Sequence, residues 1–173
     1  EGIVTGRVSV NISTKQLQDF VCIECFKSAI ESTKFDANFL EVEVTESQIM
    51  KNQRKSIQIL TLLEELGITI SMDDFGTGYS SLSYLKNLPV DRLKIDRSFI
   101  METPQNEDDV AIVKTVITLA KNLGLGIIAE GVETQEQVDF LVSEGCYDIQ
   151  GYFYSKPLSA KECRLFLLTN MQL

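Results

Sequence analysis

The sequence predicts an α/β fold, an incomplete TIM-like (β/α)₈ barrel, and three observations carry that expectation. Short alternating runs and longer helical runs take turns along all 173 residues, an order that implies parallel strands joined by helices. One face of nearly every strand turns polar toward its C-terminal end, at Asn11, Glu43, Asp73, Lys94, Glu130 and Gln150. Central strands of an open sheet covered by helices would be apolar on both faces, whereas a barrel gathers its strand ends at one rim. The β-α order repeats six times. A full barrel takes roughly 250 residues, so the units are read as the third to the eighth, with the missing ones expected ahead of Glu1.

The first strand lies in RVSVNIS (7–13), where Val8, Val10 and Ile12 share one face and Ser9, Asn11 and Ser13 the other. Ser13 and Gln16 then form a helix-start signature, each side chain able to reach the other's backbone N–H. LEVEVT (40–45) alternates in the same way, and TISMDD (69–74), RLKIDRSF (92–99), GIIAEGV (126–132) and DIQGYFY (148–154) complete the strands. Residues 107–123 carry Val110, Val113, Val116, Ile117 and Ala120 at helical spacing, with Gly124 as the C-cap. Thr134 and Gln137 repeat the start signature before VDFLVSEG, and Gly145 stops that helix. One domain is expected over residues 1–173.

Composition narrows the chemistry. Acidic residues outnumber basic ones 25 to 16, a net charge of −9, which argues against nonspecific binding to DNA, RNA or an anionic membrane surface. Histidine is absent, which removes Ser-His and Cys-His nucleophile pairs and histidine-ligated zinc. Hydrolysis would have to run on carboxylates, amides, lysines and borrowed cations. The same absence, with no upstream glycine-rich loop, rules out reading DDFG (73–76) as the kinase magnesium motif. Cys22 and Cys25 form a lone CxxC within a helical pattern and are expected to be buried free thiols. No run is long enough to span a bilayer. A cytoplasmic location is expected, with any membrane anchor upstream.

Strand parity gathers the six polar residues on the lumen side of one rim. Singly, each reads as a cap, a turn or a solvated charge. Together they are a cluster of hard oxygen donors with one lysine among them. Like charges that close repel strongly when partly desolvated. Divalent cations remove the conflict, and oxygen-only ligands select Mg²⁺, Mn²⁺ or Ca²⁺ over zinc. Asp73 takes the last lumen-facing position, and Asp74 falls where the strand gives way to a turn at Gly76-Thr77-Gly78. Adjacent acids suit two ions ~3.5–4 Å apart, one carboxylate bridging both and its neighbour reaching the second.

VNIS (10–13), EVTES (43–47), DDFGTGYSSL (73–82), LKIDRSFI (93–100), AEGVET (129–134) and QGYFYSKPL (150–158) closely resemble, in order, the successive motifs of EAL domains. These are bacterial phosphodiesterases that open cyclic di-GMP. The resemblance covers essentially the whole chain and implies a partial EAL domain, a modified TIM barrel with an antiparallel first strand. It implies Asn11, Glu43 and Asp73 as ligands of a first metal and Asp73, Asp74 and Glu130 as ligands of a second, the ions being Mg²⁺ or Mn²⁺. Lys94 would orient or polarise the attacking water, and Glu130 is also implied as its general base. Glu133 and Gln150 would position water, Asp96 would support the substrate site, and Pro157 resembles the wall near a guanine. Glu46 is implied as the acid that fixes the loop of Phe75, Gly76, Thr77 and Gly78, which joins metal occupancy to dimer contacts.

The motif that names the family, with its metal-ligating Glu and phosphate-contacting Arg, does not occur in this sequence and is expected upstream of Glu1. The implied reaction is metal-dependent hydrolysis of cyclic di-GMP to linear pGpG by the parent domain, with residues 1–173 alone weak or inactive. The alternative is a non-catalytic cyclic di-GMP receptor or an interaction scaffold. Expected partners are cyclic di-GMP, a second copy of the chain, and N-terminal GGDEF or sensor modules.

Overall fold

The computed structural model describes residues 6–76 and 85–170, so Thr77 and Gly78 of the expected turn lie outside the described residues. Six parallel strands pair in chain order into one sheet: β1 (Val8–Asn11), β2 (Leu40–Thr45), β3 (Thr69–Phe75), β4 (Arg92–Ile95), β5 (Gly126–Glu130) and β6 (Asp148–Gln150). An unbroken order is that of a barrel, because a doubly wound sheet reverses partway. Among the described residues β1 and β6 remain as edges, which makes the fold a curled, incomplete TIM-like barrel.

Helices α1 (Val21–Thr33), α2 (Glu46–Met50), α3 (Gln53–Glu65), α4 (Arg97–Ile100), α5 (Glu107–Leu123), α6 (Gln135–Ser143) and α7 (Ala160–Asn170) lie on the connections and after β6. One parity of the strands faces them. Val42, Val44, Ile70, Met72, Leu93, Ile95 and Ala129 are buried in one core with Leu60, Leu63, Val113, Ile117 and Leu141. Each fully buried Val, Leu or Ile contributes about 1.5–3 kcal/mol there. The opposite parity is left to polar groups, so Glu41, Glu43, Ser71 and Lys94 are buried on the lumen side.

The observed β2 has the bounds read from LEVEVT, β3 runs one residue further than expected, and the other four strands are shorter. RLKIDRSF divides at Asp96, whose carboxylate accepts from the Ser98 N–H at 2.9 Å and from the Ser98 hydroxyl, capping α4 and ending β4 at Ile95. DIQGYFY stops at Gln150 because a distant segment intervenes. Gly151 backs onto Val132, whose carbonyl oxygen would stand 2.0 Å from an added Cβ. The first and fifth strands likewise narrow to Val8–Asn11 and Gly126–Glu130.

Ser13 and Gln16 do bond reciprocally, Gln16 N–H to Ser13 Oγ at 3.3 Å and Ser13 N–H to Gln16 Oε1 at 2.9 Å. They open a single 3₁₀ turn, Gln16–Gln18, rather than an α-helix. The Thr134–Gln137 capping box is present, and Gly124 ends α5 in a left-handed conformation with φ of 72°. Cys22 is buried but Cys25 is exposed, contrary to expectation, because the buried stripe of α1 is confined to Cys22 and Ile23.

Candidate active site

Lys94 is the centre of the rim. Its side chain is 2% exposed, and its Nζ lies 2.6 Å from Glu130 Oε1, 2.7 Å from Glu43 Oε1 and 3.5 Å from Asp73 Oδ1. An ammonium has three donors and no acceptor. Carboxylates from β2, β3 and β5 converge on it, although Glu43 belongs to a strand two places away. Asn11 and Gln150 reach the same rim as backbone register partners of Glu43 and Glu130, with exposed side chains.

Three carboxylates against one ammonium leave two negative charges in excess in a partly desolvated space, which is costly. Burial alone would lower the Lys94 pKa. Its hydrogen bonds to Glu130 and Glu43 and the charges of Glu130 and Asp73 outweigh burial and hold it above the usual lysine range. Burial pushes the Glu130 carboxyl up; Lys94 draws it down, and the charges of Asp73 and Glu43 raise it again. Asp74 is raised by burial and by the charges of Asp73 and Asp96, against the pull of Lys94.

The adjacent acids are accommodated by an irregular strand. β3 continues to Phe75 instead of ending at Asp74, but its register against β4 shifts between Met72 and Phe75. Asp74 adopts a left-handed φ of 54°, which Asp tolerates better than most residues. Strict alternation is therefore broken, and neither carboxylate is forced into the apolar face. Asp73 turns toward Lys94, and the Asp74 N–H donates to Asp73 Oδ1 at 3.0 Å. Phe75 then returns to the core. Gly76, at φ 96°, lies against Phe99, whose ring would stand 3.2 Å from a Cβ there. Glu46, half-buried, opens α2 behind the Thr45 cap.

Glu133, Gln150 and Pro157 meet beside the rim, lining a pocket of about 310 Å³ with Arg97, Tyr152 and Lys156. Glu133 pairs with Arg97 at 2.8 Å, each side chain about half exposed, rather than with Lys94. Asp96 serves as the α4 cap described above.

The donors at the rim are oxygens only, which suits hard cations, and their excess charge is what a divalent ion would balance. Among the described residues, no three acidic or thiol groups stand as a ready-made cation cage. The acids close on the Lys94 ammonium instead. Sequence reasoning missed Arg97 at the Glu133 pocket and a second charged layer beneath the rim. There, Arg92 bridges Glu41 and Asp148, and Ser71 donates to Glu41. The signal was available: each of these four residues precedes a rim residue by one strand period.

The family model described as EAL domain matches residues 2–157. Cyclic di-GMP phosphodiesterase NbdA of Pseudomonas aeruginosa is 45% identical over 161 residues, which is 93% of this chain and 21% of NbdA. The chain thus spans well under two thirds of that relative. The solved PaMucR phosphodiesterase in complex with c-di-GMP matches with a TM-score of 0.86 at 42% identity, over 91% of this chain and 64% of that one. Klebsiella pneumoniae BlrP1 with manganese and cy-diGMP matches with a TM-score of 0.80 at 27% identity, over 87% and 39% respectively. The expectation of a naming motif ahead of Glu1 is not borne out by these matches.

Proposed function

The chain belongs to the EAL domain family, and from that premise we propose that the protein carrying it hydrolyses one phosphodiester bond of cyclic di-GMP to give linear pGpG. The observation that carries the reading is the buried Lys94 with Glu43, Asp73 and Glu130 closed around it. The names of NbdA and of the PaMucR complex support the substrate.

In this reading Asn11, Glu43, Asp73, Asp74 and Glu130 would hold two divalent ions, Mg²⁺ or Mn²⁺. When bound, these supply charge stabilisation at the phosphate and acidify water. Lys94 stays fully protonated, donates to the attacking water and offsets the negative charge that develops on the phosphoryl oxygens. Glu130, its carboxyl raised by burial, accepts the proton that water gives up as the new P–O bond forms and the ester P–O bond breaks, and the leaving ribose oxygen takes up a proton from solvent. Glu133, Gln150 and Pro157 hold the substrate, and water around it, in the adjoining pocket. Asp96 supports that site by fixing α4.

A homodimer formed through Glu46 and the loop of Phe75, Gly76, Thr77 and Gly78 belongs to the same proposal. So do an upstream GGDEF or sensor module and a cytoplasmic site. MucR carries the name of a bifunctional diguanylate cyclase/cyclic di-GMP phosphodiesterase, and no helix among the described residues is long and apolar enough to cross a membrane. Turnover of cyclic di-GMP by the intact protein, followed chromatographically with Mn²⁺ or Mg²⁺, tests the reading. The expected result is pGpG, lost on chelation and in Glu43→Gln. Intact cyclic di-GMP under saturating metal would sink it, and tight binding without turnover would favour the receptor instead.

A further inference from the structure

The charged layer beneath the rim has no part in the reaction described above. Arg92 lies two residues before Lys94 on β4 and faces the same way; its Nη1 donates to Glu41 Oε2 at 3.1 Å, and its Nη2 pairs with Asp148. Glu41, 1% exposed, also accepts from the Ser71 hydroxyl. Each partner stands two residues before a rim residue: Glu41 before Glu43 on β2, Ser71 before Asp73 on β3, Asp148 before Gln150 on β6. The remaining inner strand gives way to the same group. Gly126 of β5, the register partner of Arg92, would place a Cβ 3.1 Å from Arg92 Cγ.

A guanidinium is a rigid planar fork, and this one spans β2 and β6, neither of which is a neighbour of β4 in the sheet. Tying second neighbours together fixes the curvature of the sheet at that level. Packing does not do this job there, because the space beside Arg92 is a cavity of about 570 Å³ that also reaches Ser9, Gln150 and Tyr154. Among the described residues β6 is a three-residue edge strand that pairs in the sheet with β5 alone, so the fork ties it to a second strand. Successive same-face residues are only ~6.6 Å apart along a strand. A change of stagger at the floor therefore reaches the rim.

We infer that Arg92 is a positioning residue, tying β2 to β6 across the lumen and so setting the separation of Glu43, Asp73 and Glu130 around Lys94. The inference rests on the metal-dependent phosphodiesterase reading, since metal affinity and rate are what that separation governs. Two variants of the intact protein test it. Arg92→Lys keeps a charge against Glu41 but cannot span both carboxylates, and Asp148→Asn releases the β6 arm alone at an exposed side chain. Mn²⁺ affinity by calorimetry, and kcat and KM on cyclic di-GMP, are measured well below each Tm.

Arg92→Lys is expected to bind Mn²⁺ about tenfold more weakly and to lose about tenfold in kcat with KM nearly unchanged. Asp148→Asn should show a smaller fall in both with Tm close to wild type. A merely structural role would lower Tm and leave Mn²⁺ affinity and kcat at wild-type values, and that outcome overturns the inference. Should Arg92→Lys not fold, wild-type Mn²⁺ affinity and kcat in Asp148→Asn overturn it equally. A wild-type protein that neither binds Mn²⁺ nor cleaves cyclic di-GMP instead overturns the functional reading, and the inference with it.

Discussion

Lys94 neutralises only part of the negative charge that surrounds it, and that imbalance governs what its removal does. Lys94→Met leaves Glu43, 7% exposed, without its cation; breaking such a buried pair costs about 3–5 kcal/mol. In chelator the variant should melt several degrees lower, and added Mn²⁺ should recover part of the loss without restoring turnover. A variant as stable as wild type in chelator would contradict the pairing. The pH dependence has one sign in two windows. Lys94, raised in the fold, gives stability that is complete below the pKa of an unfolded lysine and lost as pH climbs through the folded value. Glu130 and Asp74, also raised, act in the same direction at lower pH: their ionised forms cost stability above the ordinary carboxylate range, a cost relieved as pH falls through their raised values. Metal-free Glu130→Gln should therefore resist urea better than wild type at neutral pH, and a weaker resistance would contradict the assigned sign.

Gln137 shows how one element's cap fixes another. Its Oε1 accepts from the Glu133 N–H at 2.7 Å and the Thr134 N–H at 3.1 Å, while its Nε2 donates to the Ile100 and Met101 carbonyls at 3.0 and 3.3 Å. Thr134→Ala removes a cap and should cost about 1 kcal/mol. Gln137→Ala also takes the acceptor from the Glu133 and Thr134 N–H groups and a donor from the Met101 carbonyl, while Ile100 keeps its bonds from Thr103, adding about 1–3 kcal/mol. Equal losses for the two variants in urea titrations would contradict the bridging role. The box itself was legible because Thr134 and Gln137 are three residues apart, and β2 was legible because nothing interrupts its alternation. RLKIDRSF misled because Asp96 capping competes with β-propensity over the same residues. DIQGYFY misled because what stops it is Val132, far along the chain and invisible to any local pattern.

At the scale of the molecule, a period of two is what made the rim readable. Glu43, Asp73, Lys94 and Glu130, 87 positions apart from first to last, meet because parallel strands in sequential order bring like parities to one rim. The same rule applied one step earlier would have found Glu41, Ser71, Arg92 and Asp148. Arg92 and Asp148, taken singly, carry the sequence character of ordinary surface charges, and only curvature of the sheet brings them together. The bulge at Asp73-Asp74 was anticipated as a break in alternation but not as a strand that goes on to Phe75. Since Asp73 is the proposed bridge between both ions, its loss should affect two sites at once. Calorimetric titration of the intact protein with Mn²⁺ tests this most directly: two ions per chain are expected for wild type, and neither at comparable affinity for Asp73→Asn. Unchanged stoichiometry and affinity in that variant would contradict the account.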